Sequence, residues 1–166
     1  MESNNKIFSL NNKIALITGA YGDIGFSISK AYLESGATVV IVGSNKDRLN
    51  RMIEKLEFHS KSIMPFVADV SDANQVKNMV DAVIDRYGKI DILVTAAGIQ
   101  HREPVTEFDH NKWNKVLQIN LTGTFFCAQE VAKQMIKKNM GRIIMISSLT
   151  SETVSYTHLR AHETRF

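Results

Sequence analysis

Thr18-Gly19-Ala20-Tyr21-Gly22-Asp23-Ile24-Gly25 stands between an unbroken β-branched run, Ile14-Ala-Leu-Ile-Thr18, and a stretch with helical spacing. Glycines at 19, 22 and 25 at a strand-to-helix junction have distinct uses. Gly19 permits a tight turn in the left-handed region. Gly25 permits close packing of the helix against the sheet, and the unpaired N–H groups of the first helical turn suit an anion such as a pyrophosphate. A glycine-rich turn without a ligand could carry the same letters. Here the strand, the helix and the spacing all fit a dinucleotide site.

Outward from this stretch, short apolar strands alternate with helical periodicity, which predicts an α/β fold with a parallel sheet covered on both faces. Ile24, Ile28, Ala31 and Tyr32 are expected to form the buried stripe of the first helix, which stops at Gly36. Thr38 to Val42 is the second strand, and Leu49, Met52, Ile53 and Leu56 mark the second helix. The third strand, Ile63 to Ala68, contains Pro65, which cannot donate to a ladder and so belongs at an edge. That agrees with a doubly wound sheet of order 3-2-1-4-5, where the third strand is an edge. Ser71 is expected to cap the third helix, whose apolar positions run from Val76 to Tyr87 and end at Gly88. Ile90 to Thr95 is the fourth strand, His110 to Lys138 one long helix, and Arg142 to Ser147 the fifth strand.

The 166 residues are 44% hydrophobic and 22% charged, one domain's worth of ordinary globular composition. A net charge of +3, with the basic residues dispersed, gives no footprint for nucleic acid or membrane. The single cysteine, Cys127, excludes an internal disulfide and points to a reducing compartment. No apolar segment suggests export or a membrane span, so a cytoplasmic protein is expected, with no metal set.

TGAYGDIG, then ADV, AAG, an Asn within QINLTGTFF and GRIIMISS occur in that order, and together they resemble the short-chain dehydrogenase/reductase family over residues 8 to 152. The resemblance implies a Rossmann-like fold binding NAD(P), with an Asn-Ser-Tyr-Lys set performing hydride chemistry between an alcohol and a ketone. It places Gly19, Tyr21, Gly22, Asp23, Ile24 and Gly25 around the cofactor phosphates, and Asp69 and Val70 at the adenine. Ala96, Ala97 and Gly98 fall in the loop flooring the site. Asn120 falls at the residue holding a proton-relay water, and Ser148 at the hydroxyl that meets the substrate carbonyl. Two positions depart from the family. Asp23 replaces its middle glycine, bringing a carboxylate toward the phosphates, and Thr95-Ala-Ala-Gly98 lacks the two asparagines of its NNAG loop. That loop is expected to form with fewer side-chain hydrogen bonds.

An acidic residue about 20 positions after the glycine turn would hydrogen-bond the ribose 2′-OH of NAD and repel a 2′-phosphate. This chain has Gly43-Ser44-Asn45-Lys46 there, with no carboxylate before Asp47. Ser44 and Asn45 can donate to a phosphate and Lys46 adds charge, so NADP is favoured, with NAD as the alternative and no arginine at Ser44 to decide it.

Within the family the resemblance narrows to sugar-acid dehydrogenases, on FSLNNKIALITGA, AAGIQHREPVTEF, Trp113 to Asn120 and ISSLTSE. The expected substrate is a small polyol or keto acid. Gln100-His101-Arg102 lies just past the fourth strand, where ligands bind in open α/β sheets. The Arg102 guanidinium suits a carboxylate. A solvated loop or a subunit contact would use the same residues. Other reductases of the family, and a non-catalytic NADP(H)-binding module, remain open at this point. The full-length form is expected to be a homotetramer, as the family's members commonly are, through the helix containing Asn120.

The family's tyrosine and lysine would fall near Ala161 and Arg165, and Tyr156 with Arg160 is misplaced for the role. Val154 to Thr164, VSYTHLRAHET, instead matches one reading frame of a sequencing-library transposon adaptor without a mismatch. A nucleotide-binding domain over residues 1–152 and a non-native tail over 153–166 are therefore expected. Such a chain lacks the catalytic Tyr and Lys.

Overall fold

The computed structural model describes residues 8–56 and 61–148. Five strands, β1 (Ile14–Thr18), β2 (Thr38–Gly43), β3 (Ile63–Val67), β4 (Ile92–Thr95) and β5 (Arg142–Met145), form one sheet in the order β3-β2-β1-β4-β5. Every pairing is parallel. Helices α1 (Asp23–Glu34), α2 (Lys46–Glu54), α3 (Ala73–Tyr87), α4 (His110–Leu117) and α5 (Thr124–Lys137) make the crossovers. The doubly wound order agrees with the sequence reading, and β3 with Pro65 is an edge, Pro65 standing in register with Ile41.

Alternate residues of the inner strands feed two cores. Leu16, Val40, Val42 and Leu93 pack with Val76, Met79, Val80 and Val83 of α3 and with Cys127 and Val131 of α5. Ile17, Val39, Ile41 and Val94 pack on the other side with Leu33 of α1 and Leu49 and Met52 of α2. Burial on both faces explains why β1 and β2 read as continuous apolar runs rather than alternating ones. Leu16 and Ile17 are both fully buried, so truncating either to Ala would cost about 2–5 kcal/mol.

Three sequence expectations change. The buried face of α1 is Gly25, Ser29 and Leu33, while Ile24 is exposed and Ile28 and Tyr32 only line the core margin. Small residues face inward because α1 sits hard against the glycine turn, and Ser29 hides its hydroxyl by donating to the Gly25 carbonyl at 2.7 Å. The cap of α3 is Asp72, whose carboxylate accepts from the N–H groups of Asn74 and Gln75. Ser71 instead donates to Asp69 Oδ1 at 2.6 Å. The long helix is broken into α4 and α5 by a π-helical segment at Gln118–Gly123. Residues 153–166, with Tyr156 and Arg160, lie outside the described residues.

At the N-terminal end of the strands, Asp91 ties β1 to β4. Its carboxylate accepts from the Ile14 N–H at 2.8 Å and from Lys89 at 2.9 Å, with Lys13 at 3.9 Å. Burial pushes this carboxyl up, but the Lys89 and Ile14 hydrogen bonds and the lysine charges outweigh that and leave it lowered. The opposite, C-terminal end of the sheet is left for the site.

Candidate functional site

Gly19 adopts φ +64°, a conformation costly for any residue with a Cβ. A Cβ there would also sit 2.5 Å from the Ala96 carbonyl oxygen and 2.6 Å from the Ala97 Cα. The turn after β1 and the loop after β4 are thus in backbone contact, and only glycine fits between them. Gly25 is confined differently from the sequence expectation. Its Cβ would strike the carbonyl of Gly19, so it is pressed on the turn itself rather than on a strand. Gly22 caps α1, its N–H donating to the Gly19 carbonyl at 3.0 Å. Asp23 and Ile24 open the helix and are exposed. No side chain caps this helix start, which leaves its N–H groups and positive dipole end for an anion.

Thr18 binds the two loops together. Its carbonyl accepts from the Ala96 N–H and its hydroxyl from the Ala97 N–H, both at 3.3 Å. Beyond them, the Asn120 amide clamps Ile99 from both directions. Oδ1 accepts from the Ile99 N–H and Nδ2 donates to the Ile99 carbonyl, each at 2.9 Å. This double bond compensates for the asparagines absent from Thr95-Ala-Ala-Gly98, and Gly98 lies against the same amide, its Cβ position 3.4 Å from Asn120 Oδ1. Asn120 belongs to the π segment, and its own carbonyl accepts from the Thr124 hydroxyl at 2.8 Å. The Thr95 hydroxyl is buried without a hydrogen-bond partner among the described residues.

Asp69 and Val70 follow β3 at the same edge. Asp69 Oδ1 accepts from both the N–H and the hydroxyl of Ser71, and Val70 packs on Gly123, where a Cβ would meet Val70 Cγ2 at 2.7 Å. At the end of β2, Ser44 and Asn45 are exposed. Asn45 Oδ1 is taken up in capping α2, accepting from the Arg48 N–H at 2.9 Å. Ser44 Oγ lies 3.1 Å from the Tyr21 hydroxyl. Sequence reasoning missed Arg48, whose guanidinium lies 4.1 Å from the Tyr21 ring centroid. The available signal was its place three residues after a capping Asn, in the first turn of a helix that begins at this edge.

The segment after Ile99 is strapped to α4. Glu103 Oε1 lies 2.8 Å from His101 Nε2 and 2.5 Å from Lys112 Nζ, and Oε2 accepts from the Asp109 N–H. Lys112, then His101 and the Asp109 N–H, hold the Glu103 carboxyl at about 2. Phe108 packs edge-on against both His101 and Trp113, at centroid distances of 5.4 and 5.9 Å. Arg102 is exposed, and the Gln100 amide oxygen, turned toward it, accepts from its Nε and Nη2 at 3.0 and 2.9 Å. Ser148 stands three residues past β5, exposed, beside the end of β4 where the Ile146 N–H donates to the Thr95 carbonyl.

The structure therefore gathers the glycine turn, the 96–99 loop, Asn120, Asp69–Val70 and Ser44 along the C-terminal end of the sheet. Arg102 stands on the adjoining strap. An anion site at a helix start, beside the strand-order reversal between β1 and β4, is where open α/β sheets bind dinucleotides.

The chain belongs to the short-chain dehydrogenase family, whose model matches residues 13–161. It is 37% identical to the gluconate 5-dehydrogenase of Gluconobacter oxydans, over 88% of this chain and 57% of that one. It is 34% identical to a 3-oxoacyl-(acyl-carrier-protein) reductase of Thermotoga maritima, over 84% of this chain and 57% of that one. A crystal structure of a gluconate 5-dehydrogenase from Burkholderia cenocepacia, in complex with NADP and tartrate, superposes with a TM-score of 0.81 at 36% identity, covering 89% of this chain and 58% of that one. The chain thus spans somewhat over half the length of these relatives. Among the described residues no helix is long and apolar enough to cross a membrane.

Proposed function

We propose that residues 1–152 are the cofactor-binding part of an NADP-preferring oxidoreductase that interconverts gluconate and 5-ketogluconate. The carrying observation is the uncapped start of α1, with Gly19 wedged against the Ala96–Ala97 backbone at the strand-order reversal. It fits a pyrophosphate by both hydrogen bonding and charge. The nicotinamide, when bound, would supply hydride exchange with the carbinol carbon of the alcohol or the carbonyl carbon of the ketone, while the hydroxyl proton passes to or from the acid/base expected downstream of Ser148. This chain's residues do the rest. Asn120 holds the 96–99 loop that floors the ring, and the Ser148 hydroxyl hydrogen-bonds the substrate oxygen. Arg102 offers charge to a carboxylate from the strap.

The preference for NADP rests on the absence of a carboxylate at Ser44 and Asn45. The sugar-acid assignment rests on the resemblance to gluconate 5-dehydrogenases and on Arg102, since a guanidinium favours a carboxylate-bearing substrate. Assembly is proposed through α4 and α5, where Trp113, Leu117, Leu121 and Phe125 recur every fourth residue and are all exposed, a stripe that a homo-oligomer would cover. Tail residues 153–166 are proposed to be foreign to the gene.

One experiment tests the whole reading. The chromosomal frame is sequenced across Glu152, expressed to its natural end, and assayed with gluconate and NADP⁺ at 340 nm. A Tyr-x-x-x-Lys downstream of Ser148 and gluconate-dependent reduction of NADP⁺ are expected. The 166-residue chain assayed beside it should be inactive, because the missing acid/base is worth about 10²–10⁴ in rate. Recovery of VSYTHLRAHET from the chromosome, together with nucleotide binding but no turnover, would make the protein a non-catalytic NADP(H)-binding module.

A further inference from the structure

Neither side chain expected to meet a 2′-phosphate carries charge, and each has an oxygen tied to the fold. Asn45 Oδ1 caps α2, and Ser44 Oγ is 3.1 Å from the Tyr21 hydroxyl. The charge comes instead from the first turn of α2. Arg48 lays its guanidinium over the Tyr21 ring at 4.1 Å. That ring lies in turn on the backbone of Gly43, where any Cβ would run into its carbon atoms. Gly43, Tyr21 and Arg48 are thus one layered unit joining the end of β2, the glycine turn and the first turn of α2.

Tyr21 and Arg48 of this unit line a cavity of about 360 Å³, together with Arg51 and Lys55. Three cations face it against one carboxylate, that of Asp23. Stacking on a ring engages one face of a guanidinium and leaves its N–H edge available, and that edge matches two phosphate oxygens. Stacking also settles the rotamer of an otherwise exposed, four-torsion side chain, so less freedom is lost when an anion arrives.

We propose that Arg48, held on Tyr21, is the residue that selects a 2′-phosphate, and that the hydroxyls of Ser44 and Tyr21 complete the site. This rests on the nucleotide reading above, and it changes which residue sets the preference. Arg48 does the work expected of an arginine at position 44. The Tyr21 side chain that supports it also reaches Ser44 through its hydroxyl.

The test is titration calorimetry on the 166-residue chain with adenosine 2′,5′-bisphosphate and with adenosine 5′-monophosphate, which share everything but the 2′-phosphate. The bisphosphate should bind more tightly. Arg48→Ala should weaken it by roughly tenfold to a hundredfold, the value of a hydrogen-bonded charge, and leave the monophosphate within about twofold. Arg48→Lys should recover only part of the loss, since an ammonium neither stacks as a plane nor donates as a fork. Tyr21→Phe keeps the platform and should lose less than Arg48→Ala, whereas Tyr21→Ala should approach it. Arg51→Ala and Lys55→Ala should cost no more than about threefold. Should Arg48→Ala prove unfolded by circular dichroism, Arg48→Lys and Tyr21→Ala carry the same comparison. Equal losses on both nucleotides, no loss on either, or a larger loss from Arg51→Ala would overturn the assignment to Arg48 and leave nucleotide binding standing. Failure of both nucleotides to bind the unaltered chain would overturn the assignment together with the nucleotide reading.

Discussion

The turn after β1 and the strap after β4 leave the same C-terminal end of the sheet, yet backbone sterics hold one and charge holds the other. In the turn, Gly19 is fixed by positive φ, and both Gly19 and Gly25 by a lack of room for a methyl group. In the strap, one carboxylate, Glu103, gathers Lys112, His101 and the Asp109 N–H. The first arrangement is indifferent to pH and salt and intolerant of a single added carbon. The second tolerates changes of shape but depends on ionisation. The proposed phosphate site gains from rigidity, whereas the proposed substrate strap must accept what enters.

Gly19→Val should break the comparison most severely. The left-handed φ costs a β-branched residue about 1–2 kcal/mol before any contact, and the side chain would then collide with the Ala96 carbonyl. A loss of more than about 3 kcal/mol in urea unfolding is expected, with nucleotide binding abolished. A variant of unchanged midpoint would mean that the turn yields easily. Asn120→Ala should come next, because it removes both hydrogen bonds to Ile99. At an exposed site that is about 1–2 kcal/mol. Hydrogen exchange should rise at Ile99 while the Gly19 turn stays protected, and exchange rising equally in both loops would show that they are one unit.

Arg102→Ala addresses the strap's chemistry. In the enzyme expressed to its natural end it should raise KM for gluconate with kcat almost unchanged, since the contact is remote from the reacting carbon. The rise should be smaller for Arg102 than for a free guanidinium, because Gln100 already occupies the Nε–Nη2 edge. Gln100→Ala should therefore lower KM. Equal effects on a neutral carbonyl substrate would assign Arg102 to support of the loop.

The smallest effect concerns acid. The Glu103 carboxyl is lowered from 4.5 to about 2, so its ties are fully present above about 4.5 and lost as pH falls through about 2. Trp113, the single tryptophan, touches Phe108 in the strap. Its emission should shift over that window, and Glu103→Gln should remove the shift. A transition unaltered by the substitution would place it elsewhere in the molecule.

The same contrast governs what could be read from the sequence. Apolar runs and glycines specify backbone, so the sheet order, the edge position of Pro65 and the Gly19 turn were legible. Legibility failed where side chains choose among neighbours. Ile24, Ile28, Ala31 and Tyr32 have helical spacing, but the glycine turn lies so close to α1 that small residues face inward instead. Ser71 and Asp72 both have capping side chains, and the carboxylate prevailed because Ser71 was drawn to Asp69. Asn45 Oδ1 caps α2, and the stacking of Arg48 on Tyr21 joins two elements far apart in sequence, which no local pattern announces.

The π segment at Gln118–Gly123 carries a consequence of phase. A wider turn accommodates one more residue than an α-helix would, so the helix on either side is offset in rotation. From its last residue onward, Gly123, Cys127, Val131 and Met135 point inward at every fourth place, whereas no residue of α4 before it is buried. Deleting one exposed residue there, such as Leu121, would produce a more regular helix. It would also turn one half against the other by about 100°, taking Asn120 away from Ile99 or Gly123 away from Val70. In this chain the helix must miscount by one residue for both ends to stay in register with the site.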